Sequence, residues 1–138
     1  MIDYIKILEE NPNGVLATRS GSAVRTRVFQ FLFAVGGRAY FCTDRGKQVY
    51  RQMKANSNVS FCTYTPDFGT VLSVNGRVQF VKDLALKTRA LDENPMIKGV
   101  FKIPENPDFT LFCVHPDEIV AYSPETGAKT YRPPFPSE

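Results

Sequence analysis

The sequence predicts a mainly β protein with flanking helices, in which long antiparallel strands form a barrel. Three observations support this fold class. Segments rich in β-branched and aromatic residues recur along the 138 residues. Glycine-containing turns such as Gly36-Gly37 separate several of them. Periodicity typical of helices is confined to short stretches. Long strands joined by tight turns are typical of barrels, and the length is that of one domain.

The strands are predicted from apolar and β-branched runs bounded by turn residues. The chain begins with a short helix over residues 3–11, because Tyr4, Ile5 and Leu8 share one face and Asn11-Pro12 ends it. Six strands follow, over residues 15–19, 23–33, 38–43, 59–65, 70–81 and 109–122, the last interrupted at His115-Pro116.

Two further helices are predicted between these strands. Val49, Tyr50 and Met53 recur at helical spacing, with Asp44 as the expected N-cap and an end near Asn56. Asp83 is expected to cap a second helix that runs to about Glu93 and stops at Pro95. Residues 95–108 read as a loop with at most one helical turn.

Asn75-Gly76 allows two interpretations. Asn-Gly between alternating apolar residues is a strong hairpin signal. The same glycine could form a bulge that bends one continuous strand. The local rules alone favour the hairpin.

The chain divides into a domain over residues 1–123 and a proline-rich tail over residues 124–138. Proline cannot donate to a strand ladder, so the tail is not expected to be a central strand. We expect a disordered end or an arm that lies on another surface. No repeat or linker indicates a second domain.

Composition limits the functional classes. The net charge is +3, which suits an anionic small ligand without requiring nucleic acid. Cys42, Cys62 and Cys113 lie in apolar runs, as expected of reduced thiols in a reducing compartment. No signal peptide or membrane span is recognised, and we expect a cytoplasmic protein without a membrane partner. With His115 as the only histidine, no metal site is predicted.

The residues between Arg25 and Asn56 carry most of the chemical information. Strand alternation places Arg25 and Arg27 on one face, together with Phe29 and Phe31, as a cationic patch suited to phosphate. The next strand leads into a helix start with Gly46 and Lys47, where free N–H groups favour anions. Asp44 would oppose an anion there unless it caps the helix. The alternative is a solvated basic face.

A resemblance to a known family rests on three segments that follow the short helix. In chain order they are ENPNGVLATRSGSAVRTRVFQFLF, RAYFCTDRGKQVYRQMKANSNVSFC and TVLSVNGRVQFVKD. Over residues 1–123 the chain resembles the pyridoxamine 5′-phosphate oxidase-like FMN-binding split barrels, and most closely their short bacterial branch. The phrase YFCT…K-x-V-Y-x-Q-M-x-x-N is the most specific part. Ser57 departs from it, because the family usually has proline there.

The resemblance implies a six-stranded antiparallel FMN-binding split barrel, a homodimer, and FMN in two clefts at the dimer interface. It also favours the bent strand over the hairpin at Gly76. It does not identify a catalytic side chain. The residues that it places around the flavin and its phosphate are Arg25, Thr26, Arg27, Val28, Phe41, Cys42, Thr43, Lys47 and Gln48.

The chain departs from the vitamin B6 oxidases of this family, because it has no Trp and no Arg-x-His motif. We therefore expect a flavoprotein oxidoreductase that passes electrons from a reduced nicotinamide, NAD(P)H, to a small-molecule acceptor. A flavin-binding sensor or carrier without turnover shares every feature. A basic barrel that binds single-stranded nucleic acid is disfavoured by the modest charge. Relatives that reduce nitroimidazoles, or bind haem or a deazaflavin, are not distinguished.

Overall fold

The computed structural model describes residues 2–135 and contains eight strands and four helices. The mainly β class is confirmed. The elements in chain order are α1 (Tyr4–Glu10), β1 (Asn13–Ser20), β2 (Ala23–Gln30), β3 (Phe33–Val35), β4 (Arg38–Asp44), α2 (Gln48–Ala55), β5 (Asn58–Tyr64), β6 (Val71–Val81), α3 (Leu84–Asp92), α4 (Pro95–Phe101), β7 (Phe109–Ser123) and β8 (Gly127–Tyr131). No helix in the described part is long and apolar enough to cross a membrane.

All strands belong to one antiparallel sheet with the order β2-β1-β5-β6-β7-β4-β3, and β8 pairs with β7. The two edge strands, β2 and β3, are consecutive in the chain and only two residues separate them. Phe31 N–H donates to Pro12 O and Leu32 N–H donates to Tyr40 O, so these residues bridge the two edges. The sheet therefore curls into an open barrel, as the resemblance to split barrels predicts.

Two apolar clusters stabilise the curled sheet. The larger fills the barrel and is covered by α1 through Tyr4, Ile5 and Leu8, which are all buried as predicted. Phe41 stacks on Phe112 within it, with ring centroids 5.6 Å apart. The smaller cluster packs α3 and α4 against the outer side of β4 and β7. The barrel is thus a filled core, and a ligand must bind at its surface.

The strand count of six is corrected to eight. The predicted strand over residues 23–33 is two strands, because the chain stops pairing with β1 after Gln30 and pairs with β4 from Phe33. The second addition is β8, which lies in the predicted tail. Gly127 has a φ of 67°, which closes the β7–β8 hairpin, and prolines flank this edge strand without entering it. The tail prediction also covers residues 136–138, which lie outside the described residues.

The continuous strand at Asn75-Gly76 is confirmed, and the hairpin does not form. β6 runs from Val71 to Val81 with a register shift at Gly76, which faces Pro116. The predicted break at His115-Pro116 is wrong, because β7 continues through it. Asp117 is the extra residue of this bulge, since Glu118 and Pro116 pair with successive residues of β6. Pro116 is tolerated because the ladder is already interrupted there.

Two helix predictions are corrected. Asp44 does not cap α2, because the last residue of β4 is Asp44 and the N-cap is Lys47. The Asp44 carboxylate instead accepts from Gly46 N–H at 2.7 Å and closes the turn. The expected loop after Pro95 contains α4, whose first helical residue is that proline, a position that tolerates a missing N–H. The cap of α3 by Asp83 is confirmed.

Candidate functional site

A cleft of about 240 Å³ opens where β2, β4, the start of α2 and α4 meet. Five of the nine predicted site residues line it. The lining residues are Arg27, Val28, Phe29, Gln30, Leu32, Cys42, Thr43, Lys47, Val49 and Ile97. The cleft thus combines an apolar wall with two cations and a hydroxyl, the usual composition of a small-molecule site.

The Arg27 guanidinium is held by a hydrogen-bond network that joins β1, β2 and α2. Its Nη1 donates to Thr18 Oγ1 at 2.8 Å and to Leu16 O at 3.1 Å, and its Nη2 donates to Gln52 Oε1 at 2.8 Å. Thr18 Oγ1 also donates to Gln52 Oε1 at 2.6 Å. Burial lowers the pKa of Arg27, but a guanidinium stays protonated at physiological pH.

This network fixes the position of Arg27 without consuming all of its donors. A guanidinium has five N–H groups, and the strong bonds to Leu16, Thr18 and Gln52 use three of them. Among the described residues, no partner is recorded for Nε–H or for the second Nη2–H. Arg27 is therefore a preorganised cation with donors remaining for an anionic ligand.

Thr43 has a buried hydroxyl without a hydrogen-bond partner among the described residues. Its side chain is buried at 5 % exposure and lines the cleft. Its hydroxyl, Oγ1, has no hydrogen-bond partner among residues 2–135. A buried hydroxyl without a partner costs about 1–3 kcal/mol, so native proteins rarely retain one.

Lys47 brings the second cation to the cleft from the loop that joins β4 to α2. Its backbone N–H donates to Asp44 O at 3.0 Å, which holds the turn closed. Its side chain is exposed and makes no capping bond with the helix. Lys47 can therefore move toward an anion without breaking a contact of the fold.

The Cys42 thiol lines the same cleft. Burial raises its pKa to about 11, although the neighbouring Lys47 acts to lower it. The thiol is therefore protonated at neutral pH and is a weak nucleophile. Cys42 acts here as a small apolar wall residue.

Four predicted site residues lie elsewhere. Arg25 and Thr26 are exposed on β2 and do not line the cleft. The Phe41 side chain is fully buried in the barrel core, so only its backbone could approach a ligand. Gln48 lines a neighbouring cleft that also includes Arg51 and Gln52. The roles of these four residues remain predictions.

Some residues of the site were not predicted from the sequence. Thr18 and Gln52 hold Arg27 but are 34 positions apart in the chain. Ile97 reaches the cleft from α4, in a segment predicted as loop. Thr18 was the one local signal. It lies two residues after Leu16 and so on the same inward face of β1, where a polar side chain requires a buried partner.

In the described part of the chain, the lining of this cleft contains no histidine or carboxylate side chain. His115 lies outside it and contacts Gln79 Oε1, and burial with the nearby Arg38 and Arg77 lowers its pKa. Within residues 2–135, no three His, Cys, Asp or Glu side chains are grouped to hold a metal ion. The arrangement can bind an anionic, partly apolar molecule, which must itself supply any redox chemistry.

Residues 4–122 match the family model described as pyridoxamine 5′-phosphate oxidase. The chain therefore belongs to the pyridoxamine 5′-phosphate oxidase family. A search of curated proteins finds no significant match.

Solved structures share the fold. A NimC/NimA family protein from Clostridium acetobutylicum is 23% identical with a TM-score of 0.83, over 93% of this chain and 88% of that one. General Stress Protein 26 from Bacillus anthracis is 23% identical with a TM-score of 0.77, over 93% and 94%. An F420 reductase is 25% identical with a TM-score of 0.67, over 86% and 97%.

Proposed function

We propose that this protein is an FMN-binding oxidoreductase that passes electrons from a reduced nicotinamide to a small-molecule acceptor. The observation that carries the proposal is the buried hydroxyl of Thr43, which has no hydrogen-bond partner within residues 2–135 and belongs to a residue that lines a cleft with two cations, Arg27 and Lys47. FMN offers the matching groups, namely a phosphate, ribityl hydroxyls and a flat apolar ring. The cysteine content favours a reducing compartment such as the cytoplasm.

Each part of the cleft suits one part of FMN. Arg27 and Lys47 supply positive charge for the phosphate, and Arg27 offers directed N–H donors. Thr43 can bond a ribityl hydroxyl or a phosphate oxygen. Val28, Leu32 and Ile97 supply an apolar wall for the ring. When bound, FMN supplies the two-electron chemistry, and these residues bind it, orient it and exclude water from it.

Haem fits the cleft less well than flavin. Haem iron requires an axial ligand such as His, Met, Tyr or a Cys thiolate. The one candidate in the cleft is Cys42, which would have to lose its proton to bind iron, and burial raises the pKa of its thiol to about 11. F420 is a deazaflavin with a phosphate group and a tricyclic ring closely related to that of FMN, so the F420 reductase likeness is compatible with the same cleft.

We further propose that two chains complete the site as a homodimer. The cleft of about 240 Å³ is below the 300–1,000 Å³ typical of small-molecule pockets. Exposed apolar side chains lie in the cleft and on α4, which contributes Ile97 to it: Val28 is 74 % exposed, and Met96 and Val100 are 88 % and 68 % exposed. A second chain would cover these side chains and supply the missing wall.

The first test is FMN retention. Protein mixed with FMN and desalted should keep about one flavin per chain, measured by visible absorption. We expect Lys47→Ala to lower FMN affinity about tenfold, because a charge-assisted bond contributes about 1.5–3 kcal/mol. Lys6→Ala removes an exposed charge from α1 and is the matched control, with unchanged retention expected. Equal retention by both variants would contradict the proposed phosphate site.

Turnover distinguishes the enzyme from a flavin carrier. The loaded protein should oxidise NADH or NADPH in the presence of a small acceptor such as a quinone or nitroaromatic compound. Stable flavin binding with no nicotinamide oxidation for any acceptor would support the carrier and refute the oxidoreductase assignment.

A further inference from the structure

A second cleft, also of about 240 Å³, shares no residue with the first. The end of β6, the start of β7 and one face of α2 form it. Cations and aromatic rings dominate its lining. The cations are Arg45, Lys54, Lys82 and Lys87, and the rings are those of Tyr50, Phe80 and Phe109. Nothing in the proposed oxidoreductase function uses this cleft.

The cations of this cleft are not paired with acidic side chains in the part of the chain that the structure describes. No acidic side chain lines it, and none of its four cations takes part in an ion pair recorded within residues 2–135. Asp44, Asp83 and Asp108 flank lining residues in the chain, but none of the three lines the cleft. Four cations converge here, in a chain whose net charge is only +3.

Aromatic rings position two of the lysines. Lys54 Nζ lies 5.5 Å from the ring centroid of Phe80, and Lys87 Nζ lies 5.6 Å from that of Phe109. The Phe80 ring also packs against Tyr50 at 5.2 Å. Cation–π contacts restrain an ammonium group without neutralising it. Its N–H donors therefore remain available to an anion.

We infer that this cleft binds a small polyphosphate, of the di- or triphosphate class found in nucleotides. A monoanion would leave most of the four positive charges uncompensated, whereas a polyphosphate can engage several of them together. The cations surround one cleft of limited volume, which favours a small molecule over a nucleic-acid strand.

One loop contributes residues to both this cleft and the proposed cofactor cleft. Arg45 lines the polyphosphate cleft and Lys47 lines the other one, and both belong to the short loop between β4 and α2. Binding at Arg45 would therefore restrain the loop that carries Lys47. The binding claim itself does not depend on the oxidoreductase assignment, because it can be measured without flavin.

The test is calorimetric titration of the flavin-free protein at low salt with tripolyphosphate, ATP and adenosine. We expect saturable binding of tripolyphosphate and ATP at one per chain, and none of adenosine. The double variant Lys82→Gln/Lys87→Gln should bind at least about tenfold more weakly, since it removes two charge-assisted contacts. Thermal unfolding of this variant checks that the fold is retained.

The matched control is Lys6→Gln/Lys129→Gln, which removes the same charge from α1 and β8, with less than about a twofold effect expected. Lys47→Ala should also keep polyphosphate binding, which separates this cleft from the cofactor cleft. Tighter binding of ATP than of tripolyphosphate identifies a nucleotide ligand, and equal binding identifies a free polyphosphate. Unsaturable binding, or an equal loss in both double variants, would overturn the inference. So would affinity for oligothymidylate that rises with its length.

Discussion

At the residue scale, the candidate site consists of groups that the fold holds in place without satisfying them. Arg27 is fixed by Thr18 and Gln52 and still has N–H donors with no recorded partner within residues 2–135. The Thr43 hydroxyl is buried without a partner among the described residues. Because rigid groups lose little conformational entropy when a ligand binds, this arrangement favours tight binding of a matching polar molecule.

Burial of the Cys42 thiol makes the free energy of unfolding depend on pH. Its pKa is 9.0 in a solvated chain and about 11 in the fold. A raised pKa means that the folded state disfavours the thiolate, so the associated stability is present below pH 9 and is lost as the pH rises toward 11. We expect the free energy of unfolding of the wild type, measured with urea, to fall across this interval.

Cys42→Ala should weaken that fall, because the titrating group is gone. Identical pH profiles for the two proteins would show that the thiol is solvated in the folded state. The same burial predicts slow alkylation of Cys42 by iodoacetamide at pH 8.

At the element scale, the bulge between β6 and β7 determines the curvature of the barrel. A Cβ at Gly76 would collide with the carbonyl oxygen of His115, so only glycine allows the two strands to approach this closely. Arg77 pairs with Asp117, the extra residue of the bulge, at 3.1 Å. The exposed ion pair adds little stability, and the glycine is the essential feature.

Gly76→Ala should lower the free energy of unfolding by about 2–4 kcal/mol, since the added methyl group displaces backbone. Gly99→Ala is the matched control. Gly99 lies within α4, where a Cβ meets open space, so this variant should be stabilised by about 0.5–1 kcal/mol. Chemical denaturation measures both values. A Gly76→Ala protein as stable as the wild type would mean that the two strands separate there without cost.

At the scale of the whole molecule, the proposed cofactor site depends on the proposed homodimer. Val28 is 74 % exposed at the cleft, and we expect a partner chain to cover it. Light scattering at micromolar concentration should give two chains per particle. Val28→Asp should give monomers with weaker FMN binding, because a buried carboxylate without a partner is costly.

Val28→Ile keeps the side chain apolar and should leave the dimer intact. A wild-type protein that is monomeric and binds FMN fully would contradict the dimer, and would show that one chain forms the whole site.

Local sequence signals predicted the elements that local contacts determine. The face of α1 that carries Tyr4 and Leu8, and the Asp83 cap of α3, follow from residues a few positions apart. The division of β2 from β3 was not predicted, because it depends on which distant strand each segment pairs with. β8 was missed because the flanking prolines resemble those of a disordered tail.

The residues of the site likewise divide into those indicated by local sequence and those that depend on contacts between distant segments. Arg27 and Lys47 were predicted because residue type and spacing indicate an anion site, and the family resemblance supplied the location. The partners that hold Arg27 were missed, since Gln52 reaches it only after α2 crosses the sheet. The missing partner of Thr43 cannot be inferred from sequence, because it depends on the packing of its surroundings.

The most direct measurement is the FMN affinity of Thr43→Val, determined by fluorescence titration and compared with the wild type. The account predicts affinity about tenfold weaker, and a flavin-free protein about 1 kcal/mol more stable, because the buried hydroxyl is unpaired only without ligand. Thr63→Val is the control, since its hydroxyl already donates to Asn11 O and Asn13 O and lies outside the cleft. It should lose stability and keep the affinity. Unchanged affinity in Thr43→Val would contradict the proposed flavin site.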